Sequence, residues 1–325
     1  MLKRAHYIIV ALLLASLLCS CSTQLSSPKN DNPTNSELAK TKVTVVVTQD
    51  FGRDLILEQK IESGADTSAM AALQIVADVE TKYGGGFVSS INGISSECEG
   101  ASQSKKDWFF YINGITSNIG ARDYILRDGD VEHWDFRDYS YHQFIPAIIG
   151  DFPQPFHSGY QDKLKPTLVV YEEVFSAEAE ALVKKLEGYG VTEVSAISYD
   201  LLSNEAKENS NLIIIAVPQN ILISKLNNAH KKLGFYAYFE QNTLISLDAE
   251  GNISRKFVKG CGLIQATQNP WNPKGIGSGE NVVWVITGTD VNSIKNTAEM
   301  LATDNDGLHH TFSVVISDKK VIKIP

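Results

Sequence analysis

The apolar residues of the chain fall into three regimes. Residues 7–15 form an unbroken greasy run, continued by Leu17 and Leu18 and preceded by Lys3 and Arg4. At this length it is too short for a comfortable membrane span, which needs about 20 apolar residues. Residues 22–42 are Ser, Asn, Thr, Pro and Lys with almost nothing apolar. Such a stretch cannot offset its own ordering entropy and is expected to be a flexible tether. From residue 43 the pattern becomes that of folded elements. The β-branched run 43–48 predicts a strand, Asp50-Phe51-Gly52 a turn, and residues 55–61 the second arm of a hairpin. A helix is expected to open at Gly64-Ala65-Asp66-Thr67, with Asp66 or Thr67 as its cap. Met70, Leu73, Val76 and Ala77 recur at helical spacing, and Gly84-Gly85-Gly86 ends the pattern. Strands are predicted at 87–91 and 108–112, each followed by an Asn-Gly turn, and at 131–136 after Asp128-Gly129-Asp130. Residues 43–141 therefore read as an α+β domain, a β-grasp-like sheet with one packed helix.

Prolines at 153, 155 and 166 mark residues 142–166 as a linker. Beyond it the period changes. Strand-like runs at 167–171, 194–197, 211–218, 235–239, 243–247, 281–288 and 311–316 are interspersed with helical patterns. These helices are expected at 176–187, with a stripe of Ala177, Ala181, Leu182 and Leu186, and at 221–233 and 292–301. The alternation predicts an α/β domain over residues 167–325 with a mostly parallel sheet. A long glycine- and proline-rich loop runs from Gly260-Cys261-Gly262 through Asn269-Pro270-Trp271 to Gly279; such a loop could cover a ligand. It lacks the spacing of a phosphate-binding loop. Thr287-Gly288-Thr289-Asp290 sits at a strand end, where open α/β sheets hold ligands, but Asp290 or Asn292 reads first as a helix cap.

Charge narrows the partners. The formal net charge is −9, and loss of Lys3 and Arg4 with a leader makes the remainder more acidic. That argues against nucleic acid and against an electrostatic hold on anionic lipid. Cys98 and Cys261 could pair in an oxidising compartment, although free thiols are the plainer reading. There is no CxxC, HExxH or GxSxG pattern. His309-His310 has no spaced carboxylate or thiol beside it and reads as a loop. No catalytic residues, no metal and no required cofactor are expected.

Two resemblances add to this. Leu18-Cys19-Ser20-Cys21 resembles the lipobox of bacterial lipoproteins, with an aliphatic residue at minus three and a small one at minus one. It implies a signal peptide over residues 1–20, a lipid on Cys21, and a chain held at the cell membrane facing outside the cytoplasm. Second, Asp107-Trp108-Phe109-Phe110-Tyr111-Ile112-Asn113-Gly114, then Gly120-Ala121, Tyr124, Leu126, Asp128-Gly129-Asp130 and Trp134, form an ordered series. It resembles the transcobalamin-like C-terminal domain, the β-domain of intrinsic factor and transcobalamin that also occurs in bacterial surface lipoproteins. The resemblance implies a binding protein that captures cobalamin or another corrinoid for a membrane transporter. Its corrin contacts would fall on Trp108, Tyr111, Asn113, Ile115, Thr116, Asn118 and Ile119. The animal proteins close on their ligand with a large helical barrel that this sequence lacks. That absence favours the alternative of a surface interaction module for cell wall, glycan or protein.

Replacing Cys21 with Ala is expected to move the protein from the membrane fraction to the soluble fraction. Membrane retention of that variant after a high-salt wash would remove the lipid anchor from consideration.

Overall fold

The computed structural model describes residues 40–97, 104–303 and 306–325. The leader, Cys21 and most of the expected tether lie outside the described residues, as does Cys98. The first half opens with the hairpin β1 (Lys40–Gln49) and β2 (Asp54–Gly64), followed by α1 (Ala69–Val76). A small sheet of β3 (Val79–Lys82), β4 (Phe87–Ile91) and β5 (Ile94–Ser95) comes next, then β6 (Lys106–Ile112), β7 (Ile115–Thr116) and β8 (Val131–Asp138). The main sheet has the order β2-β1-β8-β6-β7, with β8 parallel to β1 and antiparallel to β6. The strand latest in sequence thus lies at the centre.

Helix α1 starts one residue later than the capping pattern suggested. Ser68, not Asp66 or Thr67, accepts from the Ala71 amide. It also ends early, at Val76, because Ala77 and the residues after it turn back into β3. The three glycines at 84–86 bend the β3–β4 connection instead. Met70 and Leu73 are buried as expected, while Val76 and Ala77 are half-buried at the end of the helix.

The second half contains β9 (Thr167–Tyr171), α2 (Ser176–Gly188), β10 (Val194–Ser198), α3 (Asn204–Asn209), β11 (Asn211–Ile215) and α4 (Ile221–Asn228). A three-stranded sheet of β12 (Ala237–Glu240), β13 (Thr243–Leu247) and β14 (Ile253–Phe257) stands apart. The chain then adds β15 (Cys261–Gln268), β16 (Val282–Gly288), α5 (Val291–Thr303), β17 (Ser313–Ser317) and β18 (Lys320–Ile324). The large sheet has the order β10-β9-β11-β16-β15-β17-β18. It is parallel from β10 to β16 and antiparallel beyond. The architecture is mixed α and β, rich in sheet.

Three corrections follow. The buried stripe of α2 is Ala179, Leu182, Val183 and Leu186; Ala177 and Ala181 face solvent. Cys261 and Gly262 do not belong to the glycine-rich loop, because they open β15, a strand buried along its whole length. At Gly262 a Cβ would stand 1.8 Å from Thr297 Oγ1, so the missing side chain lets α5 settle directly on β15. Helix α4 is shorter than its pattern, ending at Asn228 before a run of turns.

Residues 142–166 carry buried Ile145, Ile148, Ile149, Phe156 and Tyr160. One apolar core runs without a break from Val43 and Leu73 through Phe156 to Trp284 and Val314. A second cluster joins Phe51 and Tyr111 of the first half to Tyr236 and Phe312 of the second. The described residues accordingly form one compact unit. The two halves meet tightly at Gly52, whose φ is +72° and whose added Cβ would lie 1.6 Å from the His310 carbonyl oxygen.

Gly52→Ala is therefore expected to cost about 3 kcal/mol or more, combining a left-handed backbone with a backbone clash. Gly93→Ala shares the positive φ but has open space around it, and should cost only about 1 kcal/mol. Urea unfolding of both variants separates the terms; equal losses would mean that the Gly52–His310 contact is not a constraint.

Candidate functional site

The expected site lies on β6, the Asn113-Gly114 turn and β7. Strand alternation decides which side chains can cooperate there. Trp108, Phe110 and Ile112 point to the face that packs under α1, with Trp108 against Phe136 at 5.2 Å and Phe110 stacked on Trp134 at 4.8 Å. Phe109 and Tyr111 point to the other face, which the second half covers. Trp108 and Tyr111 therefore sit on opposite sides of the sheet. Trp108 is also buried and donates its indole N–H to Ile94 O at 3.0 Å.

The turn itself is closed. Asn113 has φ +53° and no exposed surface. Its amide donates to Asp130 Oδ1 at 2.7 Å and to Gly159 O at 2.8 Å, and its oxygen accepts from the Val131 amide at 2.8 Å. Ile115 is buried and bridges Ala147. Thr116 donates its hydroxyl to Ile145 O. The segment 145–160 thus lies over this hairpin. What remains at the surface is Asn118 with half-buried Ile119. The Asn118 amide donates to Ser278 O at 3.1 Å, and its oxygen accepts from Tyr160 Oη at 2.8 Å and Gln161 Nε2 at 3.2 Å. The structure so joins the tip of the hairpin to the loop at 269–281. That loop is held from beneath by Gln268, whose Oε1 accepts from the Gly277 and Gly279 amides. It is held at its end by Glu280, which meets Lys274 at 2.6 Å, Lys163 at 3.3 Å and Lys165 at 3.5 Å. The hydrogen bond from Lys274 leads in drawing the Glu280 carboxyl down to about 2.

Sequence reasoning missed the polar face of β8. His133, Asp135 and Arg137 are buried on the side facing the second half. His133 lies between Asp151 Oδ1, 2.8 Å from Nδ1, and Thr48 Oγ1, 2.9 Å from Nε2. Thr48 donates to Asp135 Oδ1 at 2.7 Å, and Asp135 also accepts from the amides of Phe51 and Gly52. Burial alone would lower the His133 value, but Asp151 and Asp135 outweigh it and raise it. Arg137 lies 3.6 Å over the Phe109 ring and donates to His142 O and Gln143 O. On the other face Glu132 is fully buried with the Trp134 indole on Oε1, and burial pushes its carboxyl well up. The signal available was the charge-rich spelling of an otherwise strong strand between two aromatic positions.

A small cleft of about 260 Å³ opens beside this network, lined by Glu58, Asp151, Gln154, His309 and His310. His310 meets Glu58 at 3.3 Å and stands edge-on to His133 at 6.1 Å. Among the described residues no group of three or more His, Cys, Asp or Glu is placed to hold a metal ion. At the end of β16, Asp290 accepts from the Ser293 amide and hydroxyl and from the Gly260 amide, which makes it the cap of α5.

The chain has been compared with known families, curated proteins and solved structures. A family model described as a domain of unknown function, DUF4430, matches residues 66–138. No curated protein matches the chain. Haptocorrin in complex with Cbi is similar at 13% identity and a TM-score of 0.25, over 31% of this chain and 26% of that one. The chain thus spans about a quarter of the length of haptocorrin. A protein of Ruminococcus gnavus ATCC 29149 with a provisional metal-binding description is similar at 18% identity and a TM-score of 0.23, over 30% of this chain and 97% of that one.

Asn113→Ala is expected to destabilise the fold by about 3 kcal/mol, since it strands Asp130, Gly159 O and the Val131 amide. It also has a titration signature. Burial raises Asp130 to about 6, against the lowering effects of the Arg127 amide and the Asn113 side chain. A raised carboxyl contributes stability at acid pH that is lost as pH rises through the folded value. Removing the Asn113 amide should move that loss to higher pH. Carboxyl NMR of Asp130 reads it directly, and an unchanged or lowered midpoint would contradict the assignment.

Proposed function

We propose that the chain is a lipid-anchored binding protein facing outside the cytoplasm, whose ligand is a corrinoid passed to a membrane transporter. The observation that supports this reading is the series from Asp107 to Trp134, which folds as one antiparallel unit of β6, β7 and β8. Its tip carries an amide, Asn118, and an apolar neighbour, Ile119, beside the backbone carbonyls of the glycine-rich loop. A flat ligand with an amide rim is matched by such a mixture of apolar area and a few placed polar groups. Binding there uses Asn118, Ile119, Thr116 and the loop, while Trp108, Tyr111, Asn113 and Ile115 act from within the fold.

A second reading, a surface module for cell wall, glycan or protein, is favoured by one observation. Those four residues are buried beneath the chain's own side chains and the segment 145–160, which leaves the hairpin no broad apolar face.

Calorimetric titration of the chain from Ser22 with cobalamin and with cobinamide discriminates the two. Corrinoid capture predicts saturable heat that weakens in Asn118→Ala, measured well below the melting temperature of that variant, which also loses its bonds to Ser278, Tyr160 and Gln161. The absence of heat with both corrinoids, together with sedimentation on isolated envelope material, would leave the interaction module standing. Trp108→Ala is unsuited to the purpose, because a buried indole reports on stability.

A further inference from the structure

The large sheet ends in an edge that is built unlike the others. Strand edges present unpaired backbone groups, and proteins ordinarily blunt them with charge, brevity or cover. Edge strand β2 carries Asp54, Glu58, Lys60 and Glu62; β18 carries Lys320 and Lys323; β14 carries Arg255 and Lys256. β12 has Glu240, β3 has Glu80 and Lys82, and β5 and β7 are two residues long. β10, Val194-Ser195-Ala196-Ile197-Ser198, has no charge, no proline and no bulge. Among the described residues it is the one edge strand of four or more residues without a charged side chain.

The outward groups of β10 are identifiable. The Thr167 amide donates to Glu193 O at 2.7 Å, and β9 pairs with β10 in parallel register from Val194 to Ser198. In a parallel ladder alternate residues bond to the neighbour, so Ser195 and Ile197 face β9. Val194, Ala196 and Ser198 turn their N–H and C=O groups away from the sheet. Outside the ladder, no backbone hydrogen bond among the described residues involves any of the five. Both apolar layers also run out at this strand. Val194 and Ala196 are only partly buried against the core on one face, and Ile197 against the core on the other. Leu201, just past the strand, is 73% exposed.

We infer that β10 is an interface for a second copy of this chain, by antiparallel pairing about a twofold axis through Ala196. That register sets Ala196 against its own copy and Val194 against Ser198, so every outward N–H and C=O of both strands finds a partner. It also opposes Glu193 to Tyr199 and Asp200 to Thr192, which places no like charges directly across from each other. The two large sheets become continuous, and the apolar layers on both faces extend through the junction. Isologous pairing of this kind closes on itself and leaves no free β10 edge.

The test is sedimentation velocity of the chain from Ser22, which retains the whole compact unit, over a wide concentration range. It is combined with hydrogen exchange at low and high concentration. The expected result is a monomer–dimer equilibrium in which the Val194, Ala196 and Ser198 amides gain protection as dimer forms. Ala196→Pro removes an outward donor and leaves the β9 ladder intact; it should weaken the dimer roughly tenfold or more. Ser195→Lys, at an exposed position, adds the charge that the other long edges carry and should act in the same direction. A monomer at all concentrations overturns the proposal. So does a dimer that persists in both variants, or one whose β10 amides exchange as in the monomer.

Discussion

The structure depends on one buried polar surface, the face of β8 that carries His133, Asp135 and Arg137. None of these side chains can remain uncompensated away from water, because an unpaired buried charge costs several kcal/mol. Their partners come from Thr48, Phe51 and Gly52 at the end of the first hairpin, and from His142, Gln143 and Asp151 in the segment that follows β8. The central strand of the first half is thus satisfied only when the chain after it folds back. This explains why much of the segment 145–160 is buried, and why the aromatic cluster of Phe51, Tyr111, Tyr236 and Phe312 forms across the two halves. The polar network fixes the docking direction, and the aromatics supply the buried area.

Much of the fold was legible in hydrophobic period. The β1–β2 hairpin, the aromatic strand β6 with its Asn-Gly turn, and the β9–α2–β10 order all follow from alternation and turn residues. What escaped has physical reasons. β15 reads as loop because its polar residues suggest solvent, yet Thr267 donates to Leu233 O and Gln268 anchors both Pro146 O and the glycine-rich loop. β14 is exposed, so it shows no apolar alternation. In α2 the leucines at 182 and 186 mark the buried face, while Ala177 and Ala181 do not belong to it, since alanine marks a helix without saying which way it faces.

The candidate site divides in the same way. That Trp108 and Tyr111 face opposite sides could have been read from their odd spacing on a strand. That Asn113 and Ile115 lie beneath residues 145–160 could not, because burial there is set by a segment whose prolines suggest an exposed connection. Nothing local marks Asn118 as the part of the hairpin left at the surface. Its setting depends on Tyr160, Gln161 and Ser278, far apart in sequence. A binding function at this hairpin therefore draws on both halves of the molecule, even though the family match covers only the first.

Lys323 of β18 donates to the carbonyl of Gly52, in the β1–β2 turn, at 2.8 Å. Beside it the His310 turn presses against Gly52 and Gly150. The first hairpin is thus sealed by a residue 271 positions further along the chain. A chain emerging from its N-terminus can pair β1 with β2 early, but the face of the first sheet that β8 makes polar stays open until the second half has followed. Folding dominated by such distant contacts is slow, and slowness of this kind gives the chain a long interval in which it is not yet folded.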